Sequence, residues 1–291
     1  MRAPAFTLAT ALLLSSCLGL AAAQDISLHA PASVQAGDAV SIQTGGSGKA
    51  VLYIVGPGQV VRRDIQLGET ISLEAGEMHD AGHYIVALAG SSSTQTADLV
   101  VTSATEPTKV NFLAKPSRLA VDRKNAISGV AYVFDAFGNL VLSPTKVSFD
   151  LSENGSATRS EEATSHNGVA WVRLDSAQKA GRADFEVRAG NVSVKRIVQQ
   201  VPGEPCTLHM NARAVGDRVE LQTDPLRDCA GNPVPDGTIV TFKETYGGDE
   251  TTVDVPLKRG IAQTSVPMRQ GANISVATGV VIGNEIRWSG R

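Results

Sequence analysis

One stretch of this chain occurs twice. VFDAFGNLVLSPTKVSF (Val133 to Phe149) aligns without gaps to LRDCAGNPVPDGTIVTF (Leu226 to Phe242), 93 residues further on. Asp135, Gly138, Asn139, Val141, Thr145, Val147 and Phe149 match Asp228, Gly231, Asn232, Val234, Thr238, Val240 and Phe242. The likeness continues downstream. NGVAWVRL from Asn167 sits one residue off register from RGIAQTSV at Arg259, and GRADFEVRAG from Gly181 resembles GANISVATG from Gly271. A repeat of this period implies two copies of one domain of about 90 residues. The shared residues suit a tight turn into a strand. Asp and Asn bond nearby backbone, Gly and Asn tolerate left-handed geometry, and Thr-x-Val-x-Phe alternates as a half-buried strand does.

The rest of each copy also reads as strands. In the second copy Val240 and Phe242, Val253 and Val255, then Ile274 and Val276 alternate with polar residues. No stretch keeps a helical period over three turns. The 28 Gly and 13 Pro suit many turns, and aromatics at 4% leave the cores to Val, Ile, Leu and Ala. The segment from Asp25 to about Ser103 offers seven further strand candidates: ISLHA, DAVSIQTG, KAVLYIVG, VVRRDIQL, ETISLEA, HYIVALAG and ADLVVTS. Short alternating strands at close spacing predict an all-β chain of sandwiches or barrels. The expected domains are 24–106, 107–201 and 202–291, joined by the Pro-bearing linkers SATEPTKV and QQVPGEPC. Pro fixes φ and stiffens such linkers. Asp, Glu, Lys and Arg give the three domains formal charges of −6, +4 and −2. The net charge of −3 gives no footprint for nucleic acid.

Residues 1–23 are expected to be a signal peptide. Arg2 precedes an apolar run from Phe6 to Leu20, and Ala21-Ala22-Ala23 before Gln24 fits signal-peptidase cleavage. The run is too short for a confident membrane span, so no transmembrane segment is expected in the mature chain. A second reading stays open: Leu14-Ser15-Ser16-Cys17 resembles a lipobox, in which Cys17 would be lipidated and anchor the protein to the outer membrane. Either way the chain is exported, to periplasm, cell surface or medium. If Cys17 leaves with the signal, Cys206 and Cys229 remain, and an oxidising compartment favours one disulfide between them. The alternative is two free buried thiols.

No catalytic set is legible. The five His (His29, His79, His83, His166 and His209) sit in no nucleophile or zinc motif. His79, Asp80 and His83 hint at a metal, but their spacing of four converges on a helix, and this segment reads as a turn entering a strand. Asp228, Asn232 and Asp236 offer oxygens to Ca²⁺, or serve the turn itself. Trp171 is the best binding candidate. In VAWVRL, Ala170, Val172 and Leu174 share one face of the strand, and Val169, Trp171 and Arg173 the other. Gln263 replaces Trp171 in the twin. An exposed Trp beside Arg173 suits stacking on a sugar or anchoring a protein partner; a Trp lying over a sandwich edge or a domain junction is the other reading.

The repeated Asp-x-x-Gly-Asn-x-Val followed by Thr-x-Val-x-Phe resembles bacterial immunoglobulin-like domains of the invasin and intimin type. Asp80-x-Gly82-x-Tyr84 resembles the tyrosine corner of immunoglobulin-like domains more generally; Val86 stands where antibody-type domains carry a Cys. The resemblance implies three tandem immunoglobulin-like sandwiches. It further implies a non-catalytic module for cell-envelope or cell-surface adhesion or scaffolding, acting through protein contacts, with no cofactor and no metal. The alternative function is a carbohydrate-binding accessory protein that uses the exposed aromatic on a surface glycan.

Overall fold

The computed structural model describes residues 25–91, 93–153 and 158–290. The expected signal peptide and Cys17 lie outside them. Every named element is a strand, and the chain divides into two compact units, up to Thr102 and from Ser103.

The first unit is one sandwich of β1 (Ser27–His29), β2 (Ser33–Gln35), β3 (Val40–Gly45), β4 (Lys49–Val55), β5 (Val60–Gln66), β6 (Thr70–Leu73), β7 (Gly82–Ala89) and β8 (Thr94–Thr102). One sheet has the order β1-β3-β6, the other β2-β8-β7-β4-β5. Each of the seven stretches that alternate in the sequence supplies a strand. Strand β2 does not stand out there, because three residues are too few to show a period; it runs parallel to β8. Alternation sets the layers. Val40 and Ile42 of β3 point inward with Leu52 and Ile54 of β4 and Tyr84, Val86 and Leu88 of β7.

Tyr84 is buried in this core, and its hydroxyl donates to the Asp80 carbonyl four residues back, at 2.9 Å. Gln59 Oε1 lies 3.1 Å from the same hydroxyl. The corner therefore pins the turn that launches β7. Burial, with the nearby Asp80 charge, raises the Tyr84 pKa, so the phenol stays protonated as a donor.

The second unit holds two sandwiches in sequence. The first of them is built from β9 (Lys109–Lys115), β10 (Arg118–Ala120), β11 (Ile127–Phe134), β12 (Lys146–Glu153), β13 (Arg159–Thr164), β14 (Val169–Leu174), β15 (Gly181–Ala189) and β16 (Val192–Val201). Its sheets are β14-β11-β9 and β10-β16-β15-β12-β13. Its core is centred on three phenylalanines. Phe112 meets Phe185 edge-on at 5.0 Å between centroids, and Phe149 lies 6.1 and 6.3 Å from the two. Gly129 makes room for them, since a Cβ there would stand 2.7 Å from Phe185 Cζ. The low aromatic content does not predict this: three of the seven Phe are gathered at one point.

The last sandwich comprises β17 (Met210–Val215), β18 (Arg218–Thr223), β19 (Ile239–Tyr246), β20 (Asp249–Pro256), β21 (Gln263–Pro267), β22 (Asn273–Thr278) and β23 (Val281–Arg287). The sheets are β17-β18-β21 and β20-β19-β22-β23. Val240 and Phe242 point inward from β19, as Val147 and Phe149 do from β12, so the sequence repeat is a structural repeat. Trp288, just after β23, is 6% exposed and closes this core.

The Tyr84→Phe variant removes one buried hydroxyl and leaves the ring. We expect the first unit to lose about 1–2 kcal/mol, read as a lowered urea midpoint with the second unit's transition unmoved. An unchanged midpoint would show that the corner bond contributes nothing net.

Candidate functional site

Two features of the second unit have the build of a working part: the repeated loop, and the outward face of the sheet that carries Trp171.

The loop is organised by its Asp. In the last sandwich Asp228 Oδ1 accepts the backbone N–H of Ala230 at 3.0 Å and of Asn232 at 2.7 Å. Its Oδ2 accepts Asn232 Nδ2 at 3.0 Å and the N–H of Gly203 at 2.9 Å. Gly203 belongs to the linker, so the carboxylate ties the incoming chain to the loop. The earlier copy repeats the arrangement bond for bond. Asp135 Oδ1 accepts Phe137 and Asn139 N–H, each at 2.9 Å, and Oδ2 accepts Asn139 Nδ2 at 3.0 Å and linker Ala104 N–H at 2.9 Å. Gly138 and Gly231 stand at φ 87° and 85°, a left-handed geometry that glycine takes without strain.

The later copy adds a covalent tie. Cys206 and Cys229 form a disulfide, and Cys206 N–H donates to the Arg227 carbonyl at 2.9 Å beside it. The closed loop adds roughly 3 kcal/mol in the chain-entropy account. Asn232 then reaches across to the preceding sandwich. Its Nδ2 donates to the Gln178 carbonyl at 2.7 Å and its Oδ1 accepts the Ala180 N–H at 2.9 Å. A buried amide with both ends paired across a joint orders both sides of it. So Gly203, Asp228, Asn232, Gln178, Ala180 and the disulfide form one clasp.

Burial pushes the Asp228 carboxyl up in pKa. The N–H groups of Gly203 and Asn232 outweigh it and hold it below the ordinary aspartate value. A depressed carboxylate stabilises above its unfolded pKa, and that stability is lost as pH falls through the folded value. The calcium reading meets these same oxygens already engaged by N–H donors. Asp236 Oδ1 separately accepts the Gly260 N–H at 3.1 Å. Among the described residues no group of three or more His, Cys, Asp or Glu is placed to hold a metal. His79 meets Asp80 at 3.1 Å, partly buried, while His83 meets Asp98 at 3.4 Å and His209 meets Asp224 at 3.2 Å at the surface. Among the described residues no helix is long and apolar enough to cross a membrane.

Trp171 lies on β14, the edge of the three-stranded sheet, and is 64% exposed. Ala170, Val172 and Leu174 point into the core, as the alternation requires. Register places Leu113 of β9, Val130 of β11 and Trp171 in one row across the sheet. Leu113 is 51% exposed. The next row towards the open end is Lys115, Ser128 and Arg173. Among the described residues neither Lys115 nor Arg173 joins an ion pair. In the last sandwich the matching face carries Asn211, Gln222 and Gln263 in one row and Arg213, Glu220 and Ser265 in the next. There Glu220 is held by Arg213 and by Gln263. In the first sandwich it shows His29, Gln43 and Thr70.

One buried carboxylate escapes a sequence reading directed at motifs. Glu244 faces inward from β19, 3.8 Å from Arg269, which also lies over the Tyr246 ring at 5.7 Å. The signal was in the alternation, since Glu244 continues the Val240–Phe242 series.

The fold defines tandem immunoglobulin-like sandwiches. No protein-family model matches the chain, and no curated protein matches it. Among solved structures, FdeC, an Escherichia coli adhesin, aligns with 92% of this chain and 97% of its own at 14% identity and a TM-score of 0.57. Invasin, a bacterial integrin-binding protein, aligns with 91% of this chain and 60% of its own at 12% identity and a TM-score of 0.47. Yersinia pseudotuberculosis InvD aligns with 91% and 86% at 12% identity and a TM-score of 0.47. The likeness to FdeC is one of fold.

Replacing Asp228 by Ala strands several N–H donors at once. We expect a loss of about 2–4 kcal/mol in the last sandwich at pH 7. The gap from the wild type should begin to narrow as pH falls below about 4, where the unfolded carboxylate takes up its proton first, and should close as pH falls on through the lower folded value. Urea titrations at pH 7 and pH 3 check this; a gap of equal size at both would contradict the carboxylate's role.

Proposed function

We propose that this chain is a non-catalytic, exported surface module for adhesion or scaffolding that acts through protein–protein contact. The single observation that carries this reading is the Leu113–Val130–Trp171 row, held outward on a sandwich whose joint to the next is clasped. An apolar row that two sister sandwiches replace with polar residues is not a requirement of the fold. Large exposed aromatics with Arg nearby are the residues that dominate protein interfaces. The fold shared with a bacterial adhesin supports the same compartment, at the level of fold. A signal peptide ending at Ala23 would deliver the chain there, with lipidation at Cys17 as the other route. The domain limits 24–106, 107–201 and 202–291 are part of this proposal.

Contact through Trp171 to a glycan is the second reading. It is favoured by the ring's exposure, but Leu113 and Val130 beside it offer a sugar no hydrogen bonds. Beads coated with the purified protein and passed over the producing cells under flow separate the two. We expect retention several-fold above beads coated with Trp171→Glu protein, and loss of retention when the cells are first treated with protease. Equal retention of wild type and variant would remove this face from the account. Retention that survives protease and falls after periodate would assign the glycan.

A further inference from the structure

A groove of about 840 Å³ crosses the last sandwich, between β18 and β21 of one sheet and the end of β20 in the other. Its charge runs against that of its surroundings. Residues 202–291 carry a formal charge of −2, yet the groove holds Arg218, Lys258 and Arg259 against one acid, Glu220. Glu220 is already met by Arg213 at 2.5 Å. Among the described residues Arg218, Lys258 and Arg259 join no ion pair. The lining therefore keeps a local excess of positive charge, and gathered like charges oppose folding through self-repulsion.

Two of the three cations are set in place. Arg218 donates from Nε to Ser265 Oγ at 2.9 Å and from Nη2 to the Ser265 carbonyl at 2.7 Å, which fixes its guanidinium across β21. Arg259 stands at φ 53°, in the left-handed region that Asn tolerates and Arg does not favour. The matching turn of the preceding sandwich has Asn167 there, at φ 50°, and both turns continue with Gly. Asp236 Oδ1 accepts the Gly260 N–H at 3.1 Å and holds the turn. The backbone alone would take Asn; what Arg259 adds is a charge at the groove. A residue kept in an unfavourable backbone region points to a role beyond the fold.

We propose that this groove binds an extended acidic segment of a partner protein. Arg218, Lys258 and Arg259 take its carboxylates, and the half-buried Val255 and Ile261 of the same lining take aliphatic side chains between them. Arg pairs with a carboxylate through two parallel N–H bonds, which fixes direction as well as charge. The aliphatic side favours a peptide over an acidic glycan, because among the described residues no aromatic ring lines the groove for a sugar to stack on. Exposed ion pairs are individually weak and screened by salt, so the affinity is modest and falls with ionic strength. The site shares no residue with the Trp171 face and lies on a different sandwich, so either can fail alone.

Fluorescence anisotropy with labelled synthetic peptides tests it. One pool alternates Asp or Glu with Val, Leu or Ile; a matched pool has Asn and Gln in place of the acids. We expect the acidic pool to bind the wild-type chain with a Kd below about 1 mM at low salt, and the amide pool to bind about ten-fold more weakly or not at all. Arg259→Asn puts the preceding sandwich's residue into the same turn, so its melting temperature should not fall. Combined with Lys258→Glu it should weaken binding of the acidic pool about five-fold or more. Trp171→Glu should leave that binding unchanged. A wild type that binds neither pool, equal binding of the two pools, or a double variant that binds as well as the wild type would each overturn the proposal. So would loss of binding in Trp171→Glu, which moves the contact to the other face, or tighter binding of an oligomer of galacturonic acid, which assigns the groove to a glycan.

Discussion

Asp228 holds four N–H donors on two oxygens, and one of the four belongs to the linker. That arrangement makes the loop, the linker and the sandwich one hydrogen-bonded unit. A buried carboxylate is costly unless donors surround it, and once they do, it specifies their geometry closely. Asp135 repeats the set with Ala104 in the linker role. The later copy then builds on the plan. Its disulfide holds the linker to the same loop, and Asn232 carries the network into the preceding sandwich. The joint between these two sandwiches is therefore tied by polar geometry.

A clasped joint gives the exposed sheet face its meaning. Two sandwiches that share the repeated loop and strand present different outward faces on equivalent sheets. One is polar and internally paired through Arg213, Glu220 and Gln263. The other exposes Leu113 and Trp171 beside Lys115 and Arg173, neither of which joins an ion pair among the described residues. The inward faces need to match because both must fill a core. The outward faces are free to diverge. A rigid mount fixes the direction in which such a face is presented.

Much of the fold was legible because it rests on alternation. The seven strand candidates of the first unit and the inward Val and Phe after each repeated loop follow from period and local chemistry, and the Tyr84 corner from the resemblance to immunoglobulin-like domains. The disulfide followed from compartment and count. What could not be read was long-range. The meeting of Phe112, Phe149 and Phe185 over Gly129 joins four strands distant in sequence. The repeated Asp and Asn read as turn chemistry, which they are. Their bonds to Gly203, Gln178 and Ala180 arise only once the joint is folded. Trp171 could be placed on a face by alternation, but Leu113 and Val130 join it through register, which one strand's sequence does not contain.

The central claim is that the Asp228–Asn232 clasp sets the geometry between the last two sandwiches. Electron–electron distance measurement between spin labels at Glu162→Cys and Thr251→Cys, both exposed, reads it directly. The account predicts one narrow distance distribution in the otherwise native chain, and a broad one once Asn232→Ala removes the bonds to Gln178 and Ala180. An equally broad distribution in both proteins would contradict it, as would a narrow one that Asn232→Ala leaves unchanged.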